Sequence, residues 1–221
     1  MPPVDHPIFA RSRWQMSPGD RAALEGVVSA LRPALAIEIG TAEGGSLERI
    51  AAHSGHVHAF DLETPARVPG NATFHEGDSK VTVPAALAEF EEDVAFALVD
   101  GDHGTEGVRA DLEALLASPR VRETVILAHD SFNGAVRAGV EAVLGHEKLT
   151  HADLDFVPGR LTMTGFFADQ MWGGFALLLV GVPAPGVEIF GLDMEYMDAY
   201  EGAHRASEQL RPPRRFGLRR R

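Results

Sequence analysis

The chain has 221 residues, a formal net charge of −12 and no cysteine. That length suits one domain with a full hydrophobic core, and the missing cysteines exclude disulfides and thiolate metal sites and fit a reducing cytoplasm. No apolar window approaches the roughly 18 uninterrupted residues of a membrane helix. Residues 1–13 show no apolar run behind a basic start, so no signal peptide is expected. The acidic balance argues against a nucleic-acid partner, whose phosphates need Lys and Arg. The local exception is Arg211, Arg214, Arg215, Arg219, Arg220 and Arg221 around Pro212 and Pro213, which reads as a self-repelling tail.

In chain order, Ser17-Pro18-Gly19-Asp20 predicts a helix start: a hydroxyl cap, proline at the first helical position and an acid in the first turn. Leu24, Val27, Val28 and Leu31 follow the helical period until Pro33 stops it. Apolar runs at 35–39, 57–60, 73–74, 94–99 and 125–128 predict strands. Helical spacing follows in Leu47/Ile50/Ala51, Val83/Leu87/Phe90, Val108/Leu112/Leu115 and, after the fifth run, Val136/Val140/Leu144. Strands apolar on both faces and separated by helices indicate a parallel sheet covered on both sides. Runs 161–167 and 175–180 lie too close for a crossover helix and are expected to pair antiparallel. The fold class is therefore α/β: a doubly wound, mostly parallel seven-stranded sheet with an antiparallel terminal hairpin.

The segment Glu38-Ile39-Gly40-Thr41-Ala42-Glu43-Gly44-Gly45-Ser46 leaves the first strand and enters a helix. Gly40 lets the chain turn where a side chain would block a ligand, Gly44 and Gly45 keep the turn close to the sheet, and Ser46 is read as the helix cap. The spacing is neither G-x-G-x-x-G nor a P-loop, so the loop suits a nucleoside ligand without pyrophosphate. Glu38, at the strand's end, is expected to approach a cationic ligand. Asp61 ends the second strand, where an acid accepts hydrogen bonds from ribose hydroxyls, and Gly77-Asp78-Ser79 follows the third, facing the adenine edge. Each acid alone is weak; three in register on successive strands converge on one ligand.

With Val99-Asp100-Gly101-Asp102-His103 and Glu106-Gly107-Val108-Arg109-Ala110-Asp111-Leu112 added, the chain resembles the class I S-adenosylmethionine (SAM)-dependent methyltransferases, a Rossmann-like fold. Its nearest branch is the bacterial small-molecule O-methyltransferases of the macrocin type, with catechol and caffeoyl-CoA O-methyltransferases more distant. The resemblance covers roughly 17–181, read as the catalytic core of one domain spanning 1–221, with 1–16 as an N-terminal cap and 182–221 as an extension. It implies SAM bound by Glu38, Gly40, Thr41, Gly44, Ser46, Asp61, Asp78, Ser79 and Asp102. It also implies a divalent ion, Mg²⁺ or similar, on Asp100 and Asp130. Where relatives have Asp-Asp or Asp-Asn after strand five, this chain has Asp130-Ser131, so Asn133 or water is left to complete the ligands. His103 falls where some relatives place a catalytic lysine and is expected to act as general base beside Asp100.

Several residues keep two readings. Asp111 is read as a surface or bridging group. His129 either supports the site or packs in the core. Trp14 and Met16 either close over the cofactor or pack on the core, and Phe166, Phe167, Met171 and Trp172 form either core or an acceptor wall. Glu195, Tyr196 and Tyr200, within 192–208, belong to a capping helix or to a contact between copies in a homo-oligomer. The expected function is methyl transfer from SAM to a hydroxyl of a small-molecule acceptor. A metal-independent enzyme relying on His103, or a non-catalytic SAM-binding partner subunit, stands as the alternative. An NAD-dependent oxidoreductase is disfavoured by the loop spacing and the terminal hairpin.

Overall fold

A computed structural model describes residues 14–162 and 170–182 of the chain, all of them within Met1–Ala184, the first of two compact units. Helix α1 (Pro18–Leu31) starts on a complete capping box: Ser17 accepts from the Asp20 amide while the Asp20 carboxylate accepts from the Ser17 amide, both at 3.2 Å. Arg32 closes it in the left-handed conformation before Pro33. Strands and helices then alternate: β1 (Leu35–Ile39), α2 (Gly45–His53), β2 (His56–Asp61), β3 (Ala72–Glu76), α3 (Ser79–Glu89), β4 (Phe96–Val99), α4 (Thr105–Ala117), β5 (Thr124–His129) and α5 (Gly134–Glu141). The last elements are β6 (Leu149–Val157), β7 (Arg160–Thr162), β8 (Gln170–Trp172) and β9 (Phe175–Val180).

The main sheet has seven strands in the order β3-β2-β1-β4-β5-β9-β6, with β7 and β8 in a separate pair. Strands β1 to β5 run parallel, and β9 pairs antiparallel with both β5 and β6. Every residue of β1, β4 and β5 is buried, as continuous apolar runs covered on two faces require. Alternate side chains divide between two cores. Leu35, Ile37 and Ile39 meet α3, α4 and α5 through Val83, Leu112 and Val140, while Ala36 meets α1 and α2 through Leu24 and Ile50. The seven-stranded, mostly parallel architecture matches expectation.

The partner of β9 does not. The run at 175–180 pairs with β6, whereas Leu161 and Thr162, the described start of the 161–167 run, lie in β7 and pair with Met171 and Gln170. Strand β6, Leu-Thr-His-Ala-Asp-Leu-Asp-Phe-Val, is half polar because it lies at the sheet's edge with one face open, and its exposure alternates accordingly. An apolar-run criterion passes over such a strand. Phe166, Phe167, Glu195, Tyr196, Tyr200 and the arginine tail lie outside the described residues. No helix among the described residues is long and apolar enough to cross a membrane.

Helices α1 and α2 are joined side by side by Glu25, which takes Arg49 at 2.7 and 2.5 Å and His53 at 2.7 Å. The Arg49 hydrogen bond, more than burial opposes it, holds the Glu25 carboxyl down at about 2. A depressed folded-state value means the contribution is complete above the ordinary carboxylate range near 4.5 and fades as pH falls from there toward 2. Glu25→Gln is expected to lower thermal stability at pH 7 by roughly 1 kcal/mol or less, as a partly exposed pair allows. The difference between wild type and variant melts should shrink steadily from pH 5 to pH 2.5; a constant gap would contradict the assignment.

Candidate active site

The order of strands reverses between β1 and β4, and in open α/β sheets the crevice outside the carboxyl ends at such a point receives the ligand. A cleft of about 890 Å³ opens there. Its lining includes Gly40, Thr41, Ser46, Asp61, Asp78, Ser79, Asp100, Asp102, His103 and Asp130, as well as Trp14, Met16, His129, Arg160 and Trp172.

The glycine loop is built from backbone constraints. Gly40 has φ +87°, and a Cβ there would stand 2.0 Å from the Asp100 carbonyl oxygen. The ends of β1 and β4 can therefore approach only through glycine. A Cβ on Gly45 would come within 2.5 Å of Trp14, which seats the segment before α1 on the start of α2. Asp61 anchors the turn: its carboxylate accepts from the amides of Thr41 at 2.8 Å, Ala42 at 2.7 Å and Leu62 at 2.6 Å. Glu38 is fully buried and accepts from the Thr41 hydroxyl at 2.9 Å. Burial pushes its carboxyl up to about 8, against the Ser46 and Thr41 hydroxyls that favour the anion.

Across the cleft, the ends of β4 and β5 gather opposite charges. His129 Nδ1 lies 2.9 Å from Asp100 and 3.5 Å from Asp130, and its Nε2 lies 3.4 Å from Asp20. His103 Nε2 stands 3.1 Å from Asp130 and 3.7 Å from Asp100. Burial would discharge His129, but the carboxylates of Asp100, Asp20 and Asp130 hold its proton well above the usual imidazole range. Asp100 and Asp130 likewise raise His103 to about 9. Burial alone would raise Asp20 and Asp100; the neighbouring imidazoles outweigh it and keep both carboxyls below their ordinary value. Asp130 adopts the left-handed region, φ 56°, uncommon outside glycine and a recurrent feature of functional turns. It takes the Gly173 amide at 2.5 Å, while Asp20 takes that of Gly174 at 3.2 Å. One ligating atom from each of Asp100, His129 and Asp130 falls within 4.8 Å of the others, a donor set that fits a divalent ion.

Several of the expected site residues also hold structural contacts. Glu38 and Gly44 are absent from the cleft lining: Glu38 braces the loop from beneath, and Gly44, in the left-handed region, is itself the N-cap of α2. Ser46 therefore sits inside that helix, beside Glu38, rather than capping it. Asp78 caps α3 through the Lys80 amide at 3.0 Å. Asn133 is the N-cap of α5, accepting from Ala135 at 3.0 Å, and the residue grouped with Asp100 and Asp130 is His129. Asp111 is buried, not at the surface, and burial lifts its carboxyl to about 6. Trp14 and Met16 both pack in the core and line the cleft. Trp172 meets His103 edge-on at 5.4 Å. Asp20 had been visible only as a helix-start acid; the S-x-x-D capping pattern marks its backbone role but not the imidazole 109 residues away.

Residues 37–131 match the family described as a methyltransferase domain. Over that stretch, from β1 to the end of β5, the chain is similar to methyltransferase domains. Solved structures share its fold. The O-methyltransferase from Bacillus cereus in complex with S-adenosylhomocysteine (SAH) is 16% identical with a TM-score of 0.57, covering 73% of this chain and 80% of that one. The O-methyltransferase TomG from Streptomyces achromogenes, involved in tomaymycin synthesis and bound to SAM, is 17% identical with a TM-score of 0.57, covering 77% and 82%. The N-methyltransferase NodS from Bradyrhizobium japonicum, in complex with SAH, is 14% identical with a TM-score of 0.52, covering 78% and 94%. A sequence search of curated proteins gives no significant match.

Because one carboxylate both holds the glycine loop and faces the cleft, Asp61→Ala is expected to lower the melting temperature and weaken SAM binding together. The binding loss should be at least about tenfold, the scale of one charge-assisted hydrogen bond. Calorimetry and thermal melts test this; unchanged SAM affinity would show that Asp61 does not shape the pocket.

Proposed function

We propose that this protein transfers the methyl group of SAM to a hydroxyl of a small-molecule acceptor, assisted by a divalent ion on Asp100, Asp130 and His129. The observation that carries the reading is the convergence of two carboxylates and an imidazole on the cleft, beside the nucleoside loop. Three acids, Asp20, Asp100 and Asp130, crowd that corner, and their charges demand positive partners in a half-buried setting. Methyl transfer to oxygen needs such a corner, since a neutral hydroxyl is a poor nucleophile. When bound, the ion supplies Lewis acidity that lowers the hydroxyl's pKa. Carboxylates alone suit Mg²⁺; an imidazole among them also admits Fe²⁺ or Zn²⁺.

The chain's own residues supply the rest. Asp61, Asp78, Ser79 and Asp102 surround the nucleoside end, and the Gly40–Gly45 turn admits the donor closely. Asp100 and Asp130 orient the acceptor oxygen, and His103, open to the cleft beside Asp130, takes its proton in the neutral form that becomes populated as pH rises toward 9. Trp172 next to His103 offers the acceptor an apolar wall. A cleft of about 890 Å³ is in the range of small-molecule sites, which supports an acceptor of that size. One observation favours a metal-independent variant of the same reaction: His103 and Asp130, 3.1 Å apart, already form an acid–base pair.

The test is SAH release from SAM with a panel of hydroxylated acceptors, in EDTA and after adding Mg²⁺ or Mn²⁺. Asp130→Asn is expected to cut turnover by about 100-fold or more while SAM affinity stays within about threefold. Equal turnover in EDTA would select the His103–Asp130 pair over the ion, and failure to bind SAM would overturn the whole reading.

A further inference from the structure

Outside the cleft, three histidines line the face of β2 and β3 toward α3. His56 and His58 are two residues apart on β2 and so project to the same face. His75 comes from the neighbouring strand, in register with Phe60. His58 Nδ1 lies 2.8 Å from His75 Nε2, and the His56 ring stands edge-on to His58 with centroids 5.0 Å apart. Aromatic rings back the pair: His75 stacks on buried Phe60 at 4.5 Å, and His58 rests on Phe90 at 4.2 Å.

We propose that His58 and His75, joined by His56, bind a late first-row transition ion of the imidazole-preferring class, Cu²⁺ or Ni²⁺. Two neutral imidazoles on adjacent strands, with a third two residues along, supply the nitrogen donors such ions favour. The two nitrogens meet head-on, with ring centroids 5.1 Å apart, and each ring turns by about 45° to place them cis on one ion, where bonds of about 2.0 Å at right angles keep nitrogens about 2.8 Å apart. A hydrogen bond between two ring nitrogens already requires a lone pair on one of them. The donating ring moves its proton to its other nitrogen on binding, so both turn lone pairs to the ion and no net proton is lost. His56 joins by giving up its 3.0 Å hydrogen bond to Thr73. The ion would clip β3, the edge strand, to β2. Among the described residues that edge is otherwise held on one side only.

The tag-free, EDTA-treated full chain is titrated with Cu²⁺ and Ni²⁺ by calorimetry and electron paramagnetic resonance, in an Asp130→Asn background that weakens the cleft cluster. One ion per chain is expected, with nitrogen splitting in the Cu²⁺ spectrum and a rise in melting temperature. His58→Gln and His75→Gln should each weaken binding at least tenfold and remove the splitting. His75→Phe keeps the ring stack on Phe60 and separates lost ligation from lost folding. Unchanged affinity in all three variants, or a Cu²⁺ spectrum without imidazole nitrogen, overturns the proposal.

Discussion

Neutralising three acids at one corner of a half-buried cleft is the constraint on which the rest of this structure depends. Asp20, Asp100 and Asp130 arrive from α1, the end of β4 and the end of β5, and each would be costly without a positive partner. His129 answers all three from one buried ring, and His103 answers two from the cleft side. The amides of Gly173 and Gly174, ahead of β9, donate to the second carboxylate oxygens of Asp130 and Asp20. Remote parts of the chain are thus pinned to one electrostatic centre. The capping box of α1 acquires a second task, since the acid that closes the helix start also orients an imidazole of the site.

The nucleoside side of the cleft obeys a different constraint, that of backbone approach. Gly40 and Asp100 come together because the sheet order reverses between β1 and β4, and no residue with a Cβ fits that crossing. Asp61 then collects loop amides that would otherwise point unsatisfied into the crevice. Glu38 supports the loop as a buried carboxyl, lifted toward neutrality by desolvation and bonded to Thr41. Its contribution is structural first. The charge that a cationic ligand would meet at this side comes from Asp61 and its neighbours in the cleft lining.

Much of this was legible in order along the chain. The apolar runs of β1, β4 and β5 announce strands covered on both faces, Ser17 and Asp20 announce a helix start, and Asp61, Asp78 and Asp100 announce a ligand by recurring at strand ends. Less legible were features whose meaning lies across the fold. Edge strand β6 alternates polar and apolar residues, so its pairing with β9 leaves no continuous run. Asn133 stands close to Asp130 along the chain, and only the fold shows that its side chain caps the first turn of α5.

The sequence by itself determined the layered α/β architecture and the acids at the strand ends, because hydrophobic period and residue type are local properties of a chain. It also determined the turn at Gly40, since only glycine tolerates that backbone. Only the tertiary structure decided which groups share charge: that His129 belongs with Asp100 and Asp130, that Asp20 completes its surroundings, and that Asp111 is buried. The reason is physical. Desolvation and Coulomb attraction act through space over a few ångströms, and no spacing along the chain records which distant residues the sheet will bring that close.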